Sequence, residues 1–324
     1  MSKLRFELAV PELGAWRAGN TGTEGVWHFD AETPGRHVLV TALVHGNELC
    51  GAWALRGLLE TGVRPRQGSL TLAFCNLVAF DRFDAAAFDT SRFVDEDLNR
   101  QWAPGRIANP STQERRRAAE LLPFVQRADW MLDLHSMHEQ GAALLLTGPH
   151  DRNLDLARRL RAPEHVVVDA GHRDGTRMRD FGHFGQPDAQ AGDKRSVLVE
   201  CGFHGDAASR VVAQDLCARF LVESGALDAA TAATVLPGWR QRDAPRQWVL
   251  RVTGGVVARS QGFRFLDTYR GLELIAKAGT PIGDNDGETV STPYDDCVLV
   301  MPSVRQARAG VTVVRFARRE PMRQ

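Results

Sequence analysis

Apolar residues in this chain gather into short dense runs separated by polar text, and the spacing within each run sets the element it predicts. His37-Val38-Leu39-Val40-Thr41-Ala42-Leu43-Val44 is nearly continuous, the pattern of a strand buried on both faces, and a helix is predicted to follow over 48–60. Strands are predicted near 69–77 and 129–135, with a helix at 112–126 between them. Strand-like text returns near 142–147, 165–169 and 196–200, around a helix at Asp151 to Leu160. Ala207 to Ser224 then reads as an amphipathic helix, with Val211, Val212, Leu216, Phe220 and Leu221 near helical spacing. This alternation predicts an α/β fold with a parallel or mixed sheet covered by helices. Composition shifts after Pro237-Gly238. Short β-like pieces follow at 248–252, 255–259, 272–276, 297–301 and 311–316, broken by Gly, Pro, Asn and Asp. The expectation is a catalytic domain over 1–236 and a small β-rich domain over 237–324.

The runs end in chemistry. His45-Gly46-Asn47-Glu48 closes the first, His135 closes Trp130-Met131-Leu132-Asp133-Leu134, and Glu200 closes Ser196-Val197-Leu198-Val199. Alone, the His-x-x-Glu turn is equally a helix cap. Taken together, two histidines, a glutamate and an open fourth position make a catalytic zinc site, at the strand ends where open α/β sheets keep their ligands. The loop Arg92 to Arg100 adds charged groups between the two histidines.

Charge excludes other classes. Forty basic residues balance forty acidic ones, so no electrostatic case for nucleic acid or an anionic membrane arises. The triplet Arg115-Arg116-Arg117 is expected on the wet face of its helix. Five scattered cysteines without a Cys-x-x-Cys argue for reduced thiols, and neither a signal-peptide core nor a membrane-length stretch is evident. A cytoplasmic enzyme is expected. Gly-x-Ser-x-Gly, Gly-x-x-x-x-Gly-Lys and His-Glu-x-x-His are all absent.

The ordered strings His45-Gly46-Asn47-Glu48, Asp97-Leu98-Asn99-Arg100 and Asp133-Leu134-His135, with Arg92 and the strand-end Glu200, resemble the succinylglutamate desuccinylase/aspartoacylase branch of the zinc carboxypeptidase clan. The resemblance covers roughly residues 37–202; beyond it, the segment 278–300 resembles the barrel-like appendage common in that branch. It implies a zinc-carboxypeptidase-like mixed sheet with helices on both faces, plus a small C-terminal β domain. It further implies one Zn²⁺ per chain on His45, Glu48 and His135, and a small N-acyl amino acid as substrate. A homo-oligomer is compatible with the sequence.

Within that resemblance, Glu200 is the expected proton acceptor and Arg92 the donor to the developing oxyanion. The bland alternatives are a salt-bridge partner and a solvated loop arginine. Asn99 and Arg100 are expected on a substrate carboxylate. Arg177 and Arg179 fall where the family places further carboxylate contacts. Asp133 either orients His135 or is simply a buried aspartate. His138 is expected to line the pocket, while His172, His183 and His204 are expected in solvated loops. The Tyr-plus-Arg pattern that holds diacid substrates has no match, because the only tyrosines are Tyr269 and Tyr294. An acyl-amino-acid deacylase is therefore expected, with a carboxypeptidase acting on short or cell-wall peptides, or a non-catalytic binding relative, as the alternatives.

Overall fold

The computed structural model of the chain describes residues 5–171 and 175–323. His172 and Met1–Leu4 lie outside the described residues. Among the described residues there are fourteen strands: β1 Val26–Asp30, β2 His37–Ala42, β3 Ser69–Phe74, β4 Trp130–Met137, β5 Leu144–Leu146, β6 His165–Val168, β7 Arg195–Phe203, β8 Trp248–Val257, β9 Arg264–Phe265, β10 Leu274–Ile275, β11 Pro281–Asn285, β12 Glu288–Ser291, β13 Cys297–Val300 and β14 Thr312–Pro321. Eleven of them form one mixed sheet in the order β1-β3-β2-β4-β7-β5-β6-β8-β14-β13-β10, and β12-β11-β9 form a second. The expected α/β fold with helices on both faces and a small C-terminal antiparallel sheet is present.

The centre of the sheet explains the dense apolar runs. β2, β3 and β4 are parallel neighbours and almost wholly buried. Val38, Val40 and Ala42 meet Leu132, Leu134 and Val199 on one face, under the helices Leu49–Glu60 and Ala207–Glu223. Leu39 and Met131 face the other way, with Ala118, Leu121 and Val125 of the helix Gln113–Arg127. Because side chains alternate along a strand, Asp133 and His135 share Met131's face. The functional side chains therefore emerge on the face covered by that second helix.

That helix corrects one expectation. Arg115 and Arg116 do reach solvent, but Arg117 is buried and donates to the carbonyls of Cys75 at 2.5 Å, Phe74 at 3.0 Å and Glu24 at 2.6 Å. Three consecutive arginines on a helix point about 100° apart, so they cannot all share a wet face.

No helix or strand occupies 236–247, the stretch where composition shifts. The sheet nonetheless continues past it, because β8 pairs in parallel with β6, Trp248 opposite His165. One apolar cluster joins Leu144, Val167 and Leu198 to Leu250, Val298 and Ala317.

Candidate active site

Backbone geometry at the end of β2 aims the first two groups. Leu43 adopts φ 55, an unusual conformation for a residue with a side chain, and turns the chain out of the strand. Gly46 follows where a Cβ would lie 2.4 Å from Ala79 C, Phe80 N and Ser91 O, so only glycine fits. Its amide donates to Arg92 O at 3.1 Å, tying this turn to the charged loop. Glu48 then stands at the N-cap of Leu49–Glu60 without capping it, leaving its carboxylate for the site. Across β4 and β7, His135 and Glu200 are direct partners in the parallel register.

Ligating atoms of His45, Glu48 and His135 all lie within 4.8 Å of one another, and all three residues are buried. Glu48 Oε1 is 2.8 Å from His45 Nδ1, and Oε2 is 2.8 Å from His135 Nδ1. The opposite ring nitrogens also face carboxylates: His45 Nε2 is 2.9 Å from Asp97 Oδ1 and His135 Nε2 is 3.0 Å from Asp133 Oδ2. A neutral imidazole carries one N–H, so it cannot donate to two carboxylates at once. Either the rings are imidazolium ions, or the outer carboxylates take the N–H and both Nδ1 lone pairs, with Glu48, converge on a cation. The second arrangement is the carboxylate–histidine–metal pattern, so the donor set fits a metal ion. Asp133 thus takes the orienting option, although its contact with His135 is close without hydrogen-bond alignment.

Taken by themselves, these groups shift one another strongly. Burial works against the charged form of Glu48, yet His45 and His135 together hold its carboxyl well below the usual range. Burial opposes protonation of His135 too, but Asp133 and Glu48 raise it well above the ordinary histidine value. Glu200 is pushed up to about 8, by burial first and the neighbouring Glu48 second. Its Oε2 is buried with no hydrogen-bond partner among the described residues.

Arg92 lies against this group, with NH1 3.5 Å from Glu48 Oε1 and NH2 3.1 Å from Asp97 Oδ2. The loop that carries it is organised by Glu114, which sequence reasoning missed. This buried carboxylate accepts from the backbone N–H of Val94 at 2.7 Å, Asp95 at 3.0 Å and Glu96 at 3.2 Å. Asp97, quoted only as part of a string, proves to hold both His45 and Arg92. Asn99 Oδ1 accepts from Met178 N at 2.9 Å, and Arg100 NH1 donates to Asn99 O at 2.9 Å.

Arg177 and Arg179 are not brought into this group. Arg179 is fully buried, donating to Asp180 Oδ1 at 2.7 Å, Thr147 O at 2.6 Å and Ser196 O at 3.1 Å. Burial lowers it to about 10, the opposite of a solvent-facing substrate grip. Arg177, also buried, donates to Asp180 Oδ2 at 2.5 Å. Their expected carboxylate contact gives way to intramolecular bonds. His204 is corrected as well: it is fully buried, 2.8 Å from Ser136 Oγ, and burial holds it well below the ordinary histidine value. His183 is exposed as expected.

Residues 34–189 match the family model of the succinylglutamate desuccinylase/aspartoacylase catalytic domain. A succinylglutamate desuccinylase of Photorhabdus laumondii subsp. laumondii is 32% identical over 162 residues, 44% of this chain and 47% of that relative. The match thus spans about half the length of the curated relative. Among solved structures, a succinylglutamate desuccinylase from Vibrio cholerae superposes with TM-score 0.65 at 15% identity, covering 91% of this chain and 85% of its own. A succinylglutamate desuccinylase/aspartoacylase from Rhodobacter sphaeroides gives 0.62 at 19% identity, covering 92% and 89%. The product-bound ectoine utilization protein EutE (DoeB) from Ruegeria pomeroyi gives 0.60 at 18% identity, covering 90% and 87%. At these identities the structures speak for the fold. The group that could hold a metal ion, Arg92, Asn99 and Arg100 all fall inside the matched stretch, and that stretch carries the similarity of this chain to the succinylglutamate desuccinylase/aspartoacylase family.

Proposed function

We propose that the protein is a zinc-dependent deacylase that hydrolyses the amide bond of an N-acyl amino acid or a related small acid. The observation that carries this is Glu200, whose buried, unpartnered Oε2 belongs to a residue directly opposite His135 in the sheet register. Imidazole and carboxylate donors suit Zn²⁺, which when bound supplies Lewis-acid charge for the substrate carbonyl and acidifies water.

The chain's own residues do the rest. Asp97 and Asp133 hold Nε2 of the two histidines, which keeps both Nδ1 atoms facing Glu48. Glu200, raised by burial and then by the neighbouring Glu48 charge, and ionised once that charge is offset by a cation, takes the proton of the attacking water and returns it to the amide nitrogen, so that the amine departs neutral. Arg92, permanently charged, stabilises the negative charge that develops on the carbonyl oxygen. Arg100 and Asn99 are assigned to the substrate carboxylate, a planar fork that lysine cannot copy. Five buried free cysteines support a reducing compartment, the cytoplasm, and no helix among the described residues is long and apolar enough to cross a membrane.

A panel of N-acetyl, N-succinyl and N-formyl amino acids, with short peptides alongside and zinc present, tests the proposal. Release of free amino acid from at least one acyl derivative is expected. Turnover confined to peptides would replace the deacylase with a carboxypeptidase, and no turnover on any member would remove the enzymatic reading.

A further inference from the structure

One imidazole that the deacylation scheme leaves unused stands beside the site with both nitrogens engaged, one of them by Arg92. His138 Nδ1 is 2.9 Å from Asp89 Oδ1. Its Nε2 faces Arg92 NH1 at 3.1 Å and Gln306 Nε2 at 3.2 Å. A guanidinium can only donate, so Nε2 must present the lone pair and Nδ1 must carry the proton. The hydrogen bonds therefore run one way, from Arg92 to His138 to Asp89.

The far part of the chain closes on this relay. Arg305 NH1 is 3.4 Å from Asp89 Oδ2, while its Nε reaches Glu139 Oε1 at 3.0 Å. Ser303 Oγ donates to the same Glu139 oxygen at 3.4 Å. The ring of His204 packs edge-on to His138, with centroids 4.9 Å apart, and fills its flank. From more than 160 positions away in sequence, Gln306 thus touches the imidazole itself and Arg305 reaches its partner Asp89.

We propose that His138 is a positioning residue for Arg92 and that the segment Ser303 to Gln306 locks it in place, an inference that rests on the deacylase reading. Arg92 already contacts Glu48 and Asp97, and these carboxylates alone would draw the guanidinium toward the metal ligands. A third carboxylate on NH1 would fix its position but also cancel its charge. A neutral imidazole acceptor fixes the position and leaves the charge to act on the developing oxyanion.

The test is a double-mutant cycle on purified, zinc-loaded protein with its best N-acyl amino acid. His138→Phe keeps a ring against His204 but offers neither acceptor nor donor. It should lower kcat by about 10- to 100-fold, because a displacement on the order of 1 Å is enough to spoil such a donor. KM should change by no more than roughly threefold, the signature of an interaction made in the transition state. His138→Gln, whose amide can accept from Arg92 and donate to Asp89, should restore much of the loss. In an Arg92→Lys background, His138→Phe should cost no more than about twofold. Full additivity there overturns the proposal. Gln306→Leu carries the same cycle with a smaller loss should His138→Phe not fold.

A readout free of turnover separates this inference from the function. The arginine side-chain Nε–Hε resonance of Arg92, identified by its loss in Arg92→Lys, should shift in His138→Phe. An unmoved resonance overturns the relay even if the wild type is active. A wild type inactive on every acyl amino acid, with the resonance shifted, would overturn the deacylase reading and leave Arg92 held by His138.

Discussion

Two clusters of charge sit on this sheet, and they treat their carboxylates in opposite ways. In the cluster of Arg177, Arg179, Asp169 and Asp180 both oxygens of Asp180 accept from an arginine and Asp169 Oδ1 accepts from Gly171 N, although Arg179 Nε has no hydrogen bond among the described residues. In the cluster of His45, Glu48, His135 and Glu200, the carboxylates crowd the imidazoles, and both Glu48 Oε2 and Glu200 Oε2 lack a hydrogen bond among the described residues. Burying a carboxylate oxygen without a partner costs stability. The first cluster closes its carboxylates within the chain; the second leaves carboxylate oxygens open, as the proposed metal ion and substrate require. Substitution in one should move stability, and in the other activity.

The largest effect expected is on metal content. His45→Ala should take the protein from about one zinc per chain to none, because two remaining donors make no structural or catalytic zinc site. Metal analysis of untagged protein decides, and full occupancy in the variant would erase the contrast between the clusters.

Glu200→Gln comes next. Metal should stay bound while turnover falls on the order of 10²- to 10⁴-fold, the contribution of a general base. Turnover within a few-fold of wild type would make Glu200 a structural residue. The same variant reports on stability. A carboxyl at 4.5 when unfolded and about 8 when folded binds more protons in the native state between those values. Its contribution is therefore present below pH 4.5 and lost as pH rises toward 8. In chelator-treated protein, the melting temperature of Glu200→Gln should gain on wild type steadily over that window. A constant offset across the window would mean that Glu200 is not held protonated by its surroundings.

Arg179→Met tests the opposite cluster. It leaves the half-buried Asp180 carboxylate with Arg177 alone and takes a donor from the carbonyls of Thr147 and Ser196, which costs about 1–3 kcal/mol. Denaturant titration should show that loss, while the folded fraction keeps its KM. A KM raised severalfold with stability intact would return Arg179 to the substrate.

An effect of comparable size belongs to Arg100→Lys. A hydrogen bond to a charged group is worth about 1.5–3 kcal/mol, so KM should rise roughly tenfold or more with kcat less affected. The carboxamide analogue of the substrate should lose this sensitivity. Equal discrimination between acid and carboxamide in wild type and variant would remove the carboxylate from the scheme.

Sequence carried the centre of the site because its signals are local. His45 and Glu48 share one turn, and His135 and Glu200 stand near the ends of dense apolar strands. What stayed hidden depends on distant partners. Nothing local separates Glu114 from the surface acids around it; its role appears only when three amides of the 94–96 backbone fold onto it. Arg100 and Arg179 are the same residue type in comparable polar text, and tertiary contacts alone send one into the core. His204 was misjudged because its loop composition outweighed the strand that delivers it, β7 running on to Phe203. Short antiparallel pieces were partly legible. The hairpin of β11 and β12 turns at Asp286-Gly287, both with positive φ, which is the chemistry a two-residue turn demands. β1 escaped notice, since its edge position buries only Val26 fully.

The pairing of β14 with β8 also fixes an order of assembly. A chain made from its N-terminus acquires His45, Glu48, His135 and Glu200 well before Ser303 to Gln306, and β14, which seats that segment against the sheet, comes later still. Ribosomes deliver on the order of 5–20 residues per second, so several seconds separate the first group from the second. During that interval the nascent protein has the residues proposed to hold the metal but not those that reach His138 and Asp89, and the contacts proposed to brace Arg92 are complete only when its last strand docks.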